Sequence, residues 1–396
     1  MNTMWHQSSL SANLSDNASF ANEEDSVIRA DRAATDLRRG RPVVLWGNTD
    51  AYIIASVENG DDDAAATVAS LAGNEARLVV TAERAQTLGF VNGSARSQAL
   101  RVPFGKLTAT DWSQRVACAP LRPSEARDML AGAAARPAPA DVVQAIDLAK
   151  ACHLVPALIV APIAAGQVPA VERLLASGRL LGVGCGDIES LPLNNALTLK
   201  KVSEARVPLV ESTDTRFIVF RGADGVTEQV AIQIGTPDGK TAPMVRLHSA
   251  CLTGDLFGSL RCDCGEQLRG AVQTIADNGW GLILYLAQEG RGIGLANKMR
   301  TYDLQDHGLD TIDSDSLLGF GADERRYEIA VAMLRALDID RIRVMTNNPE
   351  KIAHLTDGGI EVVDRVALQS TVNEHNYRYL NAKMTRAGHM LDDSAF

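Results

Sequence analysis

Three of the six cysteines fall within fourteen residues, as Cys251-x10-Cys262-x-Cys264 in the run HSACLTGDLFGSLRCDCGEQL. If these thiols act together, the chain must fold back so that Cys251 meets a Cys-x-Cys pair at the start of a helix. Three thiolates suit a tetrahedral Zn²⁺ and leave its fourth position to water, the arrangement of a catalytic rather than a closed structural site. Water held there ionises near neutrality and becomes a nucleophile. On spacing alone two other readings stay open: three unrelated buried thiols, or a structural zinc completed by His248. Cys118, Cys152 and Cys185 lie singly in apolar surroundings and read as buried, inert thiols. Six cysteines are too few to staple 396 residues by disulfides.

A chain of this length exceeds what one core supports, so two domains are expected. Residues 1–27, rich in Ser, Asn and acidic groups and poor in apolar periodicity, read as a disordered tail. From 28 to 200 helix and strand alternate: a helical pattern before Gly40, strands at 41–46, 51–57 and 77–81, and a helix from near Ala82. AGAAARPAPA at 131–140 reads as a flexible connection, and Asp61, Asp62 and Asp63 as a solvated turn. From 201 to 396 a second unit begins where Lys200, Lys201, Glu204 and Arg206 interrupt the apolar pattern. Strands are expected at 217–221, 227–235 and 244–248 in an antiparallel or mixed sheet. A helix at 265–277 closed by Asn278-Gly279, a strand at 282–286 and a helix at 295–305 follow. The fold class is therefore α/β, with α+β mixed sheets in two domains.

A net charge of −10 speaks against a broad nucleic-acid-binding surface, though a small anion needs only a local pocket. The longest apolar run, 154–165, is broken by Pro156 and Pro162, so no membrane segment is expected. The N-terminus lacks the basic and apolar regions of a secretory signal, which points to the cytoplasm.

Three further runs carry chemistry in combination. Gln288-Glu-Gly-Arg-Gly-Ile-Gly294 joins strand to helix; its glycines let backbone approach a ligand, and Arg291 suits a phosphate. In Val344-Met-Thr-Asn-Asn-Pro-Glu-Lys351, Asn348 reads as an N-cap with Pro349 at the first helical position, bringing Thr346 and Lys351 to an anion-attracting end. Gly319-Phe-Gly-Ala-Asp-Glu-Arg-Arg326 leads into a helix, where Asp323 and Glu324 suit the helix dipole and Asp323 and Arg325 become chemical only if they face a pocket.

Together these runs closely resemble the GTP cyclohydrolase II family over residues 202–391, in its order and at its spacing. The resemblance implies a zinc-dependent hydrolase of cyclic amidine C–N bonds, with one zinc per chain on Cys251, Cys262 and Cys264. It implies that Arg246, Leu247, His248, Ser249, Gln267, Glu289, Gly290, Arg291, Thr311, Thr346 and Lys351 surround GTP, and that Mg²⁺ accompanies the triphosphate. Asp323 matches the proton acceptor, and Tyr302 the active-site tyrosine. Arg325 matches the position proposed to attack the α-phosphorus, although a guanidinium that stays protonated competes for a purely electrostatic role.

The implied products are 2,5-diamino-6-(5-phosphoribosylamino)pyrimidin-4(3H)-one, formate and pyrophosphate, at the entry to riboflavin biosynthesis, from a homodimer. Where the family usually carries glutamate after His-Ser, this chain has Ala250. Alternatives are a paralogue of pyrimidine catabolism, an enzyme that stops at the formamidopyrimidine, or a non-catalytic GTP-binding regulator. GRPVVLW and ARLVVTAERAQTLGF more distantly resemble dihydroxybutanone phosphate synthase. That enzyme's acidic Mg²⁺-binding run is replaced by Gly47-Asn-Thr-Asp-Ala-Tyr52, which implies a degenerate, non-catalytic domain over 28–200.

Overall fold

In the computed structural model, the described residues are 23–390 apart from 49, 61, 73–75, 88–97, 103–134, 190, 192–197, 223, 310, 369–370 and 386–389. The first helix, α1 (Glu23–Arg38), is followed by β1 (Val43–Trp46), β2 (Ala51–Ser56), α2 (Asp62–Ala72), β3 (Arg77–Thr81), α3 (Ala82–Thr87), β4 (Ala99–Val102) and β5 (Arg136–Pro137). Helix α4 (Ala140–Ala151), β6 (Ala157–Pro162), α5 (Val168–Ala176) and β7 (Leu181–Gly184) complete a seven-stranded sheet of order β5-β4-β3-β6-β2-β1-β7. Only its β1–β7 pair is parallel. Successive residues alternate between two cores: Val44 and Ile53 face one side, Val43 and Ile54 the other. Such period-two burial on both faces is what a sheet covered by helices on each side requires.

The second sheet is built from β8 (Lys200–Arg206), β9 (Thr215–Arg221), β10 (Glu228–Ile234), β11 (Met244–Ser249), α6 (Cys264–Asp277) and β12 (Gly281–Leu286). It continues through α7 (Leu295–Asp306), α8 (Thr311–Leu318), α9 (Glu328–Ala336), β13 (Arg341–Met345), α10 (Pro349–Asp357), β14 (Glu361–Val366) and α11 (Tyr377–Thr385). The order is β14-β13-β11-β12-β10-β9-β8, parallel from β14 to β12 and antiparallel beyond, so the sheet is mixed as expected. After β12 the chain crosses over β11 to reach β13. Connections therefore diverge at the carboxyl end of β11, the crevice where open α/β sheets bind ligands.

Several expectations need correction. Residues 23–27 are helical rather than part of a tail: Val27 is buried, and the Ser26 hydroxyl donates to Asp187 at 2.7 Å. Val27, Ala30, Ala34 and Leu37 form an apolar stripe that the acidic start of the helix obscures. Residues 1–22 lie outside the described residues. Of the expected flexible connection at 131–140, residues 136–137 pair with β4 as an edge strand, where proline is tolerated, and Ala140 opens α4. Asp62 opens α2 instead of lying in a turn. The charged interruption at 200–206 is itself the edge strand β8, exposed throughout and therefore without apolar alternation. Cys152 and Cys185 are buried thiols as expected, pushed up by burial to about 12 and about 11, whereas Cys118 lies outside the described residues. Among the described residues no helix is long and apolar enough to cross a membrane.

Candidate active site

Strand β11 ends at Ser249, and a single π-helical turn (Leu252–Leu256) returns the chain towards the start of α6. This brings the sulfur atoms of Cys251, Cys262 and Cys264 within 4.8 Å of one another, at the wall of a cleft of about 290 Å³. Gly254 makes the room. A Cβ there would lie 2.7 Å from Cys262 Sγ and 3.1 Å from Cys251 Sγ. Hydrogen bonds from the Cys262 and Cys264 thiols, with Lys298 Nζ at 3.0 Å, hold Cys251 well below the usual thiol range. Their bonds to Cys251 in turn push Cys262 and Cys264 up. Three crowded soft donors whose shared protons a thiophilic divalent cation displaces fit a metal.

His248 is not a fourth ligand. Its Nε2 lies 3.0 and 3.1 Å from the two carboxylate oxygens of Asp255, which also accepts from Cys251 N at 3.0 Å and the Tyr285 hydroxyl at 2.9 Å. Among the described residues no imidazole or carboxylate joins the three thiols. All three thiols line the cleft, so a cation held by them would have a further position available to water there.

The rest of the cleft is lined by loops at the carboxyl ends of the parallel strands. Arg246, buried on β11, donates to Met345 O at 3.2 Å and to Gln267 Oε1 at 2.6 Å, and burial lowers it to about 10. The Ser249 hydroxyl is buried at the cleft wall with no hydrogen-bond partner, a polar group left available to a ligand. Beyond β13, Thr346 Oγ1 accepts from Asn348 N at 3.0 Å, and Asn348 Oδ1 caps α10 through Glu350 N at 2.9 Å. That cap agrees with the expectation for Asn348 and Pro349, and it turns a helix N-terminus towards the cleft.

Lys351 donates to the Leu247 carbonyl at 2.9 Å. Lys351 and Arg325 each lie over the Tyr327 ring, at 5.7 and 5.6 Å from its centroid. Arg325 Nε grips Asp323 at 2.8 and 3.0 Å, with a further bond from Nη2. Burial alone would raise the Asp323 carboxyl, but the Arg325 hydrogen bonds hold it below the usual carboxylate range. It is thus ionised and able to accept a proton.

The 3₁₀ turn Glu289–Gly292 supplies Glu289, Gly290 and Arg291. Arg291 has φ of 62°, a left-handed conformation that costs a non-glycine residue about 1–2 kcal/mol. It is held by a side-chain ion pair to Asp315 and by its carbonyl, which accepts from Glu324 N at 3.1 Å. Burial pushes Asp315 from 3.8 up to about 6, against the attraction of Arg291 and the hydrogen bond from Thr301 at 3.2 Å. Because the folded value lies above the unfolded one, this group makes folding less favourable as pH rises from 3.8 to about 6, while in the folded protein the charged Arg291 clamp forms as pH rises through about 6. We therefore expect kcat/KM to fall on the acid side with an apparent pKa near 6. Asp315→Asn should remove that limb; an acid limb unchanged in this variant would exclude the clamp as its origin.

All but two of the expected site residues line this one cleft. Leu247 is 1% exposed and packs into the core, so it contributes only its carbonyl. Thr311 opens α8, and its side chain lies outside the described residues. Lys298, Arg261, Thr301 and Asp315 also line the cleft and were missed. Lys298 bridges Cys251 to Glu289, 2.9 Å from its carboxylate, and Arg261 lies 4.9 Å over the Tyr302 ring. The spacing of Lys298, Tyr302 and Gln305, one face of a helix already expected, was the available signal.

Comparison with known proteins follows the same lines. The family model described as GTP cyclohydrolase II matches residues 200–367. The chain is 42% identical over 372 residues to GTP cyclohydrolase-2 of Azospirillum brasilense, covering 93% of this chain and 95% of that protein. It is 40% identical over 375 residues to GTP cyclohydrolase-2 of Xylella fastidiosa, covering 93% and 89%. GTP cyclohydrolase-2 of Shewanella sediminis is 45% identical over 200 residues, which are 50% of this chain but 97% of that protein. A crystal structure of a two-domain 3,4-dihydroxy-2-butanone 4-phosphate synthase from A. baumannii aligns with 80% of this chain and 93% of its own, at 12% identity and a TM-score of 0.31, too loose to carry an argument.

Proposed function

The chain belongs to the GTP cyclohydrolase II family, and from that membership we propose that its cleft converts GTP to 2,5-diamino-6-(5-phosphoribosylamino)pyrimidin-4(3H)-one, formate and pyrophosphate, the first step of riboflavin biosynthesis. One observation carries the reading: a three-thiol centre and a cationic wall open onto the same cavity. The base and the triphosphate of one nucleotide therefore meet different chemistry in one binding event.

Cys251, Cys262 and Cys264 would hold zinc, which when bound supplies a Lewis acid that activates water for attack on the guanine ring. Arg246, Arg291 and Lys351, with the N-terminus of α10, attract and orient the phosphates. Asp323 accepts a proton in its ionised state. Arg325, clamped to that carboxylate, acts through its charge at the α-phosphorus, where water attacks and pyrophosphate leaves, rather than as a nucleophile, because a paired guanidinium keeps its proton. Tyr302, raised by burial, stays a neutral hydroxyl beside the thiols. Mg²⁺ accompanies the triphosphate, and the protein works as a cytoplasmic homodimer, readings that rest on the family resemblance.

Residues 201–396 form the catalytic domain and 28–200 a non-catalytic one in this proposal. Its support is that the Shewanella sediminis relative bears the family name while matching only half of this chain. Purified full-length protein given GTP, Mg²⁺ and Zn²⁺ is expected to release formate and pyrophosphate in equal amounts. Release of neither would refute the proposal, and pyrophosphate with an accumulating formamidopyrimidine would move it to an enzyme that stops halfway.

A further inference from the structure

Elements of the first sheet reach the rear of the cleft. Glu324 sits between Asp323 and Arg325, and its carboxylate accepts from Gly321 N at 2.8 Å and from Lys150 Nζ at 2.7 Å. Its own N–H donates to the Arg291 carbonyl at 3.1 Å. Gly292 lies so close beneath this segment that a Cβ there would meet Glu324 O at 2.7 Å, and Gln288 Nε2 donates to Arg326 O. Loop 288–292 and segment 321–326 are thus interlocked. The cation that neutralises the shared carboxylate comes from the last turn of α4, 174 residues away in sequence.

Other contacts make this a built interface. Asn297 Nδ2 donates to His153 O at 2.8 Å, Arg300 pairs with Glu58 at 2.7 Å, and Arg84 Nη1 donates to Leu318 O at 3.1 Å. Ile293, Leu304, Leu317, Leu318 and Phe320 fill the same apolar cluster as Val44 and Ile53 of the first sheet.

We propose that Lys150 is a positioning residue for the cleft: by holding Glu324 it fixes segment 321–326 against the 288–292 loop and so sets how Arg291, Asp323 and Arg325 face the substrate. The non-catalytic half then serves as a buttress for the catalytic one. This rests on the reading of the cleft as the GTP site. The Lys150 and Glu324 side chains are 23% and 18% exposed, so the pair is too shielded to count as a surface ion pair. Without Lys150, Glu324 is a poorly solvated charge beside Asp323 and near Asp147, whose carboxyl is raised by burial and further by Glu324. A lysine that merely suited the C-terminus of α4 would affect stability and leave the cleft alone.

The test uses full-length protein. Lys150→Met should keep its metal and its fold while kcat for pyrophosphate release falls on the order of 10-fold, the scale of a small misplacement of reacting groups. Amide hydrogen exchange at Gly321 and Glu324 should accelerate, and Lys150→Arg should restore both readouts. Arg29→Met, which removes the Arg29–Asp187 pair in the same half of the chain away from the cleft, should change neither. If Lys150→Met does not fold, Glu324→Gln removes the charge from the other side and should give the same pair of changes. Exchange at Gly321 and Glu324 equal to wild type, or equal losses in Arg29→Met, overturns the proposal. Wild-type protein inactive on GTP would sink the proposed reaction alone, since the exchange readout still decides the positioning role.

Discussion

Cys262→Ser is expected to leave a folded protein that has lost nearly all of its bound zinc and releases no measurable formate. Two remaining thiolates cannot hold a tetrahedral centre with an open position, and serine is a hard, neutral donor that does not replace a thiolate. The fold should survive because the cores of the second sheet are built by Ile218, Phe220, Val245, Leu284, Ile234 and Ile275, none of which depends on the cluster. Pyrophosphate release should persist at a reduced rate, because Asp323 and Arg325 are positioned by each other and by Tyr327 rather than by the thiols. The measurement is metal content per chain alongside both products. Active wild-type protein without zinc would remove the basis of the assignment, and full formate release by Cys262→Ser would show that the cluster is not the hydrolytic centre.

Arg325→Lys keeps a positive charge but loses the planar fork that grips Asp323 with two nitrogens. We expect about a 100-fold fall in kcat with a smaller change in KM, the range seen when one preorganised donor to developing charge is removed. Ground-state binding is less affected because Arg246, Arg291 and Lys351 remain at the cleft wall. A guanylyl adduct trapped on Arg325 by mass spectrometry would overturn the purely electrostatic role. Near-normal activity of the lysine variant would exclude any need for the bidentate geometry.

Much of the site was legible because its parts are local. Cys262-x-Cys264 opening a helix, Asn348 capping α10 and the glycine-rich turn after β12 are each set within a few residues by backbone chemistry, and the last two sit where a parallel strand ends. The Leu247 side chain turns into the core because a strand alternates faces, and a motif that spans Arg246 to Ser249 does not announce which residues point inward. The edge strand β8 and the start of α1 escaped for a related reason: in one, exposure on both faces removes the apolar pattern, and in the other, acidic residues mask it.

The amino-acid sequence by itself determined which groups this protein offers to its cleft: the three thiols, the cations Arg246, Arg291 and Lys351, and Asp323 and Arg325, because their identities and short-range spacings encode the loops that present them. The tertiary structure alone decided what those groups lean on. Asp315 meets Arg291 from 24 residues away and Lys150 meets Glu324 from 174, the first within the second unit and the second across the two, pairings that arise only when distant segments pack together. No local propensity encodes such contacts, since burial and partner choice are properties of the packed chain; the same packing raises Asp315 to about 6, decides that Leu247 is core, and makes the first sheet part of the wall behind the cleft.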